Sequence, residues 1–395
     1  MEWKLQENVL ESGDIEALVD FIRTAKRFTQ FTKVKEFEEA WSRWQGVKYS
    51  VFVNSGSSAN LVIMNTMKEV YGWHDGDEVI VAAVTWPTNV NPVIQCGLKP
   101  VFADVNLDDF SFDYEALESK ITAKTRAIFV THLLGFPADI SRIKKIIGGR
   151  DIKILEDCCE SHGAVTGGTK IGNLGLASST SFYWGHHMTT VEGGMVCTND
   201  FELYKSFLLK RSHGLARELP IECHGEYAVK YPDIDFTFLF LTDGFNLRNT
   251  EFNAVLGISQ IKYLDRYIAI RNENYKKFLA IIKPYEKYLR LPNNPGISAF
   301  CLPFIFNDAE LKKKFQILLR GAGVESRPFV SGNLLRQPYL ASYGEARDFK
   351  NAEMLHVKAF YIGNNQFVNG ERLEALGKLL ADFFNGQKTS GSFPS

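Results

Sequence analysis

The 395-residue chain predicts an α/β fold, a mixed and mostly parallel sheet covered by helices, with a smaller C-terminal α+β unit attached. Three observations carry this. The first two-thirds alternate short, almost wholly apolar runs with helical segments, the pattern of strands buried on both faces. A helical stretch from 250 to about 284 follows, with Val255, Ile258, Ile261, Leu264 and Ile268 at helical spacing. Beyond it the order changes to strand, helix, short strand, helix.

Taken in turn, the expected strands of the sheet are 50–54, 78–82, 100–103, 127–131, 152–156, 179–183 and 194–198. Helices are expected near 33–44, 58–70, 88–95, 138–147 and 201–211. The smaller unit holds a strand at 299–306, a helix at 309–320, a short strand near 324–327 and a helix at 371–385. The expected division is a large unit over 1–255, a bridging helix and small unit over 256–385, and a flexible polar tail over 386–395.

Composition narrows the function classes. Hydrophobic residues make up 45%, charged residues 23%, and the net charge is −1. Such a balance gives no global field to steer nucleic acid or an anionic membrane, so neither is expected as a partner. Acidic residues interrupt the N-terminal segment at Glu2, Glu7, Glu11, Asp14 and Glu16, so no secretory signal is expected in it. No run of about 18 apolar residues predicts a membrane span. Six cysteines, at 96, 158, 159, 197, 223 and 301, fit neither a disulfide framework nor a C-x-x-C metal site. Reduced thiols in a cytoplasmic protein, with no metal, are the expectation.

Four polar clusters follow predicted strands, where open α/β sheets bind ligands. Asn54-Ser55-Gly56-Ser57-Ser58-Ala59-Asn60 opens a helix, and its small residues let the backbone approach an anion. By itself it is equally an ordinary serine-rich helix cap. Thr85-Trp86-Pro87-Thr88 places at a strand mouth an indole that either stacks on a flat ring or packs in the core. Glu156-Asp157-Cys158-Cys159-Glu160 ends a buried strand with carboxylates that need partners. The last, Ser181-Phe182-Tyr183-Trp184-Gly185-His186-His187-Met188-Thr189-Thr190-Val191-Glu192-Gly193-Gly194, contains two adjacent histidines.

In this order and at these intervals the segments resemble the DegT/DnrJ/EryC1/StrS sugar aminotransferases over about residues 10 to 385. These are fold-type I pyridoxal-phosphate proteins of the aspartate aminotransferase type. Their signature reads S-F-x-x-x-K, then T-T, then G-E-G-G. Here the lysine position is His186, and Val191 replaces the usual glycine, a minor departure at this level. The histidine is similar to that of the 3-dehydratase branch, which acts on nucleotide-linked 4-keto-6-deoxyhexoses such as GDP-4-keto-6-deoxy-D-mannose. Arg211-Ser212-His213-Gly214 with Arg217, Gly244-Phe245-Asn246-Leu247-Arg248, Glu325-Ser326-Arg327-Pro328 and Gly363-Asn364-Asn365 add to that resemblance.

The resemblance implies a set of roles. Gly56, Ser57 and Ser181 hold the phosphate of pyridoxal or pyridoxamine phosphate, and Trp86 stacks on its ring. Asp157 pairs with the ring nitrogen, which makes the ring an electron sink, and Glu160 lies near its 3-hydroxyl. Asn246 reaches the cofactor phosphate of a second subunit, so a homodimer with shared active sites is expected. His213, Arg217, Arg248 and Glu325 bind sugar or amino donor, and Lys26, Arg27, Phe28 and Thr29 contact the nucleotide sugar.

A lysine amine forms a Schiff base with the cofactor aldehyde; an imidazole forms no stable equivalent. The histidine instead titrates near neutral pH and can take and return a proton. The resemblance therefore implies that glutamate aminates the cofactor, that His186 moves a proton, and that the C3 hydroxyl leaves, with ammonia released. In an extended segment His187 faces away from His186. Some relatives with the same histidine use an iron–sulfur cluster, but the C-x-C pair it needs is absent and no cluster is expected. The pathway implied is deoxysugar synthesis for a cell-surface polysaccharide such as a lipopolysaccharide O-antigen, with colitose as the type product. Two other readings stay open: a nucleotide-sugar 4-aminotransferase, and a non-catalytic sugar-nucleotide-binding homologue.

Overall fold

A computed structural model describes residues 2–292 and 294–389. Seven strands form the large sheet: β1 (Tyr49–Val53), β2 (Glu78–Ala82), β3 (Lys99–Ala103), β4 (Thr125–Thr131), β5 (Lys153–Asp157), β6 (Ala177–Ser181) and β7 (Gly194–Thr198). Their spatial order is β1-β7-β6-β5-β4-β2-β3. Strands β2 to β6 pair in parallel, and β7 runs antiparallel to both of its neighbours, β6 and β1. One antiparallel strand thus sits inside a mixed sheet.

Burial explains these strands. Every residue of β2, β6 and β7 is buried. The main apolar core joins β2, β4 and β5 to the helix Gly56–Val70 and the small sheet. A second core, with Phe37, Trp41, Phe52, Phe182 and Met188, lies under the helix Thr32–Gln45. Strand β6 begins and ends two residues before the expected 179–183. Its sequence, Ala-Ser-Ser-Thr-Ser, has weak strand propensity, yet small residues are what the close approach of Gly56 to Ser181 demands. Phe182 leaves the ladder to fill the second core, and its N–H donates to Gly193 O at 2.9 Å.

Polar caps fix the helix starts. Asp139, Asp200 and Asp308 each accept an N–H from the first turn of the helix they precede, as expected of aspartate at that position. The helix Thr32–Gln45 lacks a local cap. The carboxylate of Glu251, far along the chain, accepts the N–H groups of Phe31, Lys33 and Val34 at 2.8–2.9 Å instead.

Three expectations need correction. The stretch 250–284 is two helices, Glu251–Gln260 and Leu264–Ile282, with a turn between. Both halves keep the same apolar spacing, so periodicity could not reveal the break. The expected helix at 88–95 is a 3₁₀ turn, Pro87–Asn89, and a short helix, Asn91–Gln95. The tail expected from 386 is helical as far as Thr389; the rest of it, 390–395, lies outside the described residues.

The small sheet runs β8 (Leu289–Arg290), β9 (Cys301–Phe306), β11 (Ala359–Gly363), β10 (Ser326–Pro328), with antiparallel pairing throughout. The N-terminal segment docks on it. The Trp3 indole N–H donates to Gly363 O at 3.0 Å, and Trp3 bridges Val324. No helix among the described residues is long and apolar enough to cross a membrane.

Candidate active site

A cavity of about 480 Å³ opens at the carboxyl ends of β1, β2, β4, β5 and β6 and is closed on the far side by the small sheet. Gly56, Ser57, Trp86, Asp157, Glu160, Ser181 and His186 all line it.

The serine-rich turn after β1 starts the 15-residue helix Gly56–Val70, and Ser55 caps it by accepting the Ser58 N–H at 3.1 Å. Free N–H groups of the first turn face an anion site of helix N-terminal type. A Cβ built on Gly56 would stand 2.6 Å from Ser181 Cβ and 3.0 Å from Cys159 Sγ. Only glycine lets the helix start come this close to β6.

Asp157 ends β5 with its carboxylate held from two sides. Oδ2 accepts from Asn60 Nδ2 at 2.7 Å and Asn89 Nδ2 at 3.0 Å, and Oδ1 accepts the Cys159 N–H at 2.9 Å. Asn60 closes the serine-rich cluster of the sequence, without a role assigned there; Asn89 carried no signal. Trp86 is 55% exposed, which rules out the packed-core alternative. The arrangement fits pyridoxal or pyridoxamine phosphate: a small-residue cradle for the phosphate, an oriented carboxylate for a ring nitrogen and an open indole for a ring face.

Glu160 accepts the Leu134 N–H at 2.9 Å. Burial raises its pKa to about 7; the Leu134 N–H opposes that rise and the charge of Asp157 adds to it. A carboxyl so placed exchanges protons near neutrality. Its neighbour Glu156 serves the fold. It meets His132 Nε2 at 3.0 Å and accepts the N–H groups of Gly172, Leu174 and Gly175. Burial alone would raise its pKa, but His132 and these N–H groups outweigh it and hold the carboxyl below the usual range. His132, Glu156 and Cys158 stand within metal-ligand spacing. However, His132 Nδ1 accepts the Ala138 N–H, so this donor set is spent on protein partners.

His186 projects from a turn after β6. Its Nδ1 is 3.1 Å from Ser181 O. A carbonyl only accepts, so Nδ1 carries the proton and Nε2 keeps its lone pair. Phe300 meets the ring edge-on, with centroids 5.7 Å apart. Burial lowers the His186 pKa to about 4; Ser181 O and Asp157 oppose the fall, and Arg271 contributes to it. The near-neutral titration expected from sequence is thus corrected: desolvation keeps this imidazole a neutral base at pH 7. His187 is fully buried and turns away, with Nε2 3.2 Å from Ser298 O.

The other expected residues do not line the cavity of their own chain. Asn246 bridges Ser212, His213 N–H donates to Phe245 O, and Arg248 bridges Val53. Arg27 and Arg217 line a separate cavity of about 850 Å³. Lys26 is exposed; Phe28 stacks on Phe252 at 5.0 Å and Thr29 bridges Thr250. Glu325 is not paired with Arg327; Oε2 accepts the Leu5 N–H at 3.0 Å. Val191 has φ +68°, so the glycine it replaces answers a backbone need, and the substitution is more than minor. Sequence reasoning missed Leu5, Gln6, Arg327 and Tyr361 in the cavity wall. Arg327 belongs to the Glu325-Ser326-Arg327-Pro328 segment; for the N-terminal strap the apolar Trp3 and Leu5 are the only signal in the sequence.

Residues 10–380 match the model of the DegT/DnrJ/EryC1/StrS aminotransferase family. The GDP-4-keto-6-deoxy-D-mannose 3-dehydratase of Escherichia coli O55:H7 is 35% identical over 380 residues, 94% of this chain and 96% of that protein. A crystal structure of a GDP-4-keto-6-deoxymannose-3-dehydratase, a histidine-to-asparagine mutant with bound GDP-perosamine, superposes with TM-score 0.89 at 33% identity, covering 96% of this chain and all of that one. Another, with a trapped PLP–glutamate geminal diamine, gives TM-score 0.88 at 32% identity over 96% of this chain and all of that one. The α/β architecture expected from sequence is the one these structures share.

Proposed function

Since the chain belongs to the DegT/DnrJ/EryC1/StrS aminotransferase family, we propose that it is a pyridoxamine-phosphate-dependent 3-dehydratase. It removes the C3 hydroxyl of a nucleotide-linked 4-keto-6-deoxyhexose, GDP-4-keto-6-deoxy-D-mannose, with glutamate as amino donor and ammonia as co-product. The observation that carries this reading is His186 in a cavity lined, among the described residues, by no lysine, with Nε2 left as a base.

When bound, the cofactor supplies an amine and an electron-accepting ring. The protein's residues do the rest. Gly56, Ser57 and Ser181 hold the phosphate without covalent help, Trp86 covers the ring and Asp157 keeps its nitrogen protonated. His186 takes a proton at Nε2 and returns it to the departing C3 oxygen, which leaves as water. Glu160, near its midpoint at pH 7, exchanges protons elsewhere in the same cavity wall.

A homodimer completes the site in this reading. Asn246 lies outside its own chain's cavity and is assigned to the cofactor phosphate of a partner. Support comes from the exposed apolar residues of the neighbouring segment, Ile221, Val229, Phe238 and Phe240, which a second copy would cover. His213, Arg217, Arg248, Glu325 and residues 26–29 are assigned to sugar and amino-donor recognition. The product feeds deoxysugar synthesis for a cell-surface polysaccharide.

The test is mass spectrometry of products from a panel of nucleotide-linked 4-keto-6-deoxyhexoses, with glutamate and pyridoxal phosphate supplied. Free ammonia and a sugar lighter by one oxygen are expected. Nitrogen retained on the sugar would instead identify a 4-aminotransferase. Cofactor absorbance unmoved by glutamate would identify a non-catalytic binder.

A further inference from the structure

Arg271 lies on the helix Leu264–Ile282 and is 0% exposed. Among the described residues no carboxylate stands within ion-pair reach of it. Its guanidinium is met by main-chain carbonyls alone. Nη1 donates to Phe300 O at 3.1 Å and to Asn364 O, and Nη2 donates to His186 O at 3.3 Å. Nε has no hydrogen-bond partner among the described residues. A buried cation without a counter-charge is costly. A neutral side chain of similar length would fill the space at less cost.

What the guanidinium does that a neutral group cannot is hold three separate segments with one rigid fork. These are the turn carrying His186, the approach to β9 and the exit of β11. The cage is itself braced. Asn364 Nδ2 donates to Arg271 O and Ala299 O, both at 3.0 Å, and Asn274 Nδ2 donates to Asn365 O at 3.2 Å. Phe300, whose carbonyl Arg271 holds, is the ring packed edge-on against His186. The imidazole is therefore located from two sides: by Ser181 at Nδ1 and by Arg271 through its own carbonyl.

We propose that Arg271 is a positioning residue for His186, a buried cation that pins the histidine's carbonyl to the small sheet and so fixes the imidazole in its Nδ1–H form over the cavity. The proposal rests on the proton-transfer role given to His186 above. The charged and titratable groups facing the His186 ring are Asp157, His162, Tyr183, His187 and Arg271. Of these, Arg271 alone is a permanent cation.

The test uses the full-length Arg271→Lys and Arg271→Met proteins beside the parent. Imidazole ¹⁵N shifts are followed with pH in cofactor-free samples, with His186→Asn used to assign the signal. The parent is expected to show one Nδ1–H tautomer, and both variants a tautomer mixture. The His186 midpoint rises by at least about 0.5 unit in Arg271→Met and stays in Arg271→Lys, which keeps the charge. On sugar substrate, kcat falls about tenfold or more in both variants while KM stays within about threefold. A folded variant whose His186 tautomer pattern matches the parent overturns the proposal, whether or not sugar is dehydrated. If Arg271→Met does not fold, Arg271→Lys decides by the same criterion. Absent dehydration by the parent bears on the proposed function, not on this measurement.

Discussion

The Nδ1 of His186 donates to the carbonyl of Ser181 across 3.1 Å, which leaves Nε2 as the basic nitrogen of the imidazole. Its consequence is direct. His186→Asn should lower the rate of C3 deoxygenation by about 10³-fold or more while leaving pyridoxamine-phosphate binding within a few-fold. His187→Asn should lower stability, because it disturbs the buried contact to Ser298. Single-turnover rates and cofactor titrations of the two variants separate the roles. Full deoxygenation by His186→Asn, with loss in His187→Asn, would reverse the assignment.

Asp157 gives a second prediction. Asp157→Asn removes the charge that a ring nitrogen would meet, and cofactor affinity should fall about 10- to 100-fold. Asn89→Ala, which frees one of its two hydrogen bonds to Oδ2, should fall between the parent and Asp157→Asn. Absorbance titration with pyridoxamine phosphate measures both. Equal affinity in all three proteins would remove Asp157 from the cofactor site.

Glu160 predicts a pH-dependent stability. Its carboxyl titrates near 4.5 when unfolded and at about 7 in the fold. Between those values the folded state binds more protons, so stability falls as pH rises through this window. Glu160→Gln should therefore raise the melting temperature of the cofactor-free protein by about 2–4 °C at pH 8 and leave it unchanged at pH 4. A gain of equal size at both pH values would disprove the linkage.

Val191 tests backbone strain. A valine at φ +68° carries a penalty that glycine does not, partly offset by the greater freedom of glycine in the unfolded chain. Val191→Gly should stabilise the protein by about 1 kcal/mol, read from the midpoint of urea unfolding. Destabilisation would mean that the valine side chain makes compensating contacts.

The core of the site was legible because its parts are local. Each of Gly56, Trp86, Asp157 and Ser181 follows or ends a strand that hydrophobic runs reveal, and strand ends converge in an open α/β sheet. Long-range partners were not legible. Asn60 belongs to the serine-rich cluster, but its reach to Asp157 across 97 positions left no mark in the sequence, and Asn89 reaches the same carboxylate from a 3₁₀ turn whose flanking residues do not distinguish it. Gln6 enters the cavity wall only because Trp3 docks against Gly363, at the other end of the chain. Strand β6 was displaced by two residues because propensity favoured Phe182 and Tyr183 over serines. Arg271 gave no signal, since its partners are backbone carbonyls, and no residue pattern encodes those.

The internal place of β7 has a consequence for how the chain assembles. Edge strand β1 has β7 as its neighbour in the sheet, and the paired residues Val53 and Gly194 are 141 positions apart in sequence. During synthesis β1 leaves the ribosome with no strand to join. At about 5–20 residues per second its partner arrives roughly 7–30 s later. Until then Val51, Phe52 and Val53, all fully buried in the finished fold, stand open to wrong pairings. Because His186 lies between β6 and β7, the same late event that closes the sheet also fixes the two ends of the turn that carries it, before the small sheet supplies the far wall of the cavity. Chaperone dependence and inclusion-body formation should therefore track changes at the β1–β7 seam more closely than changes in β2 to β5, whose parallel ladder is finished earlier.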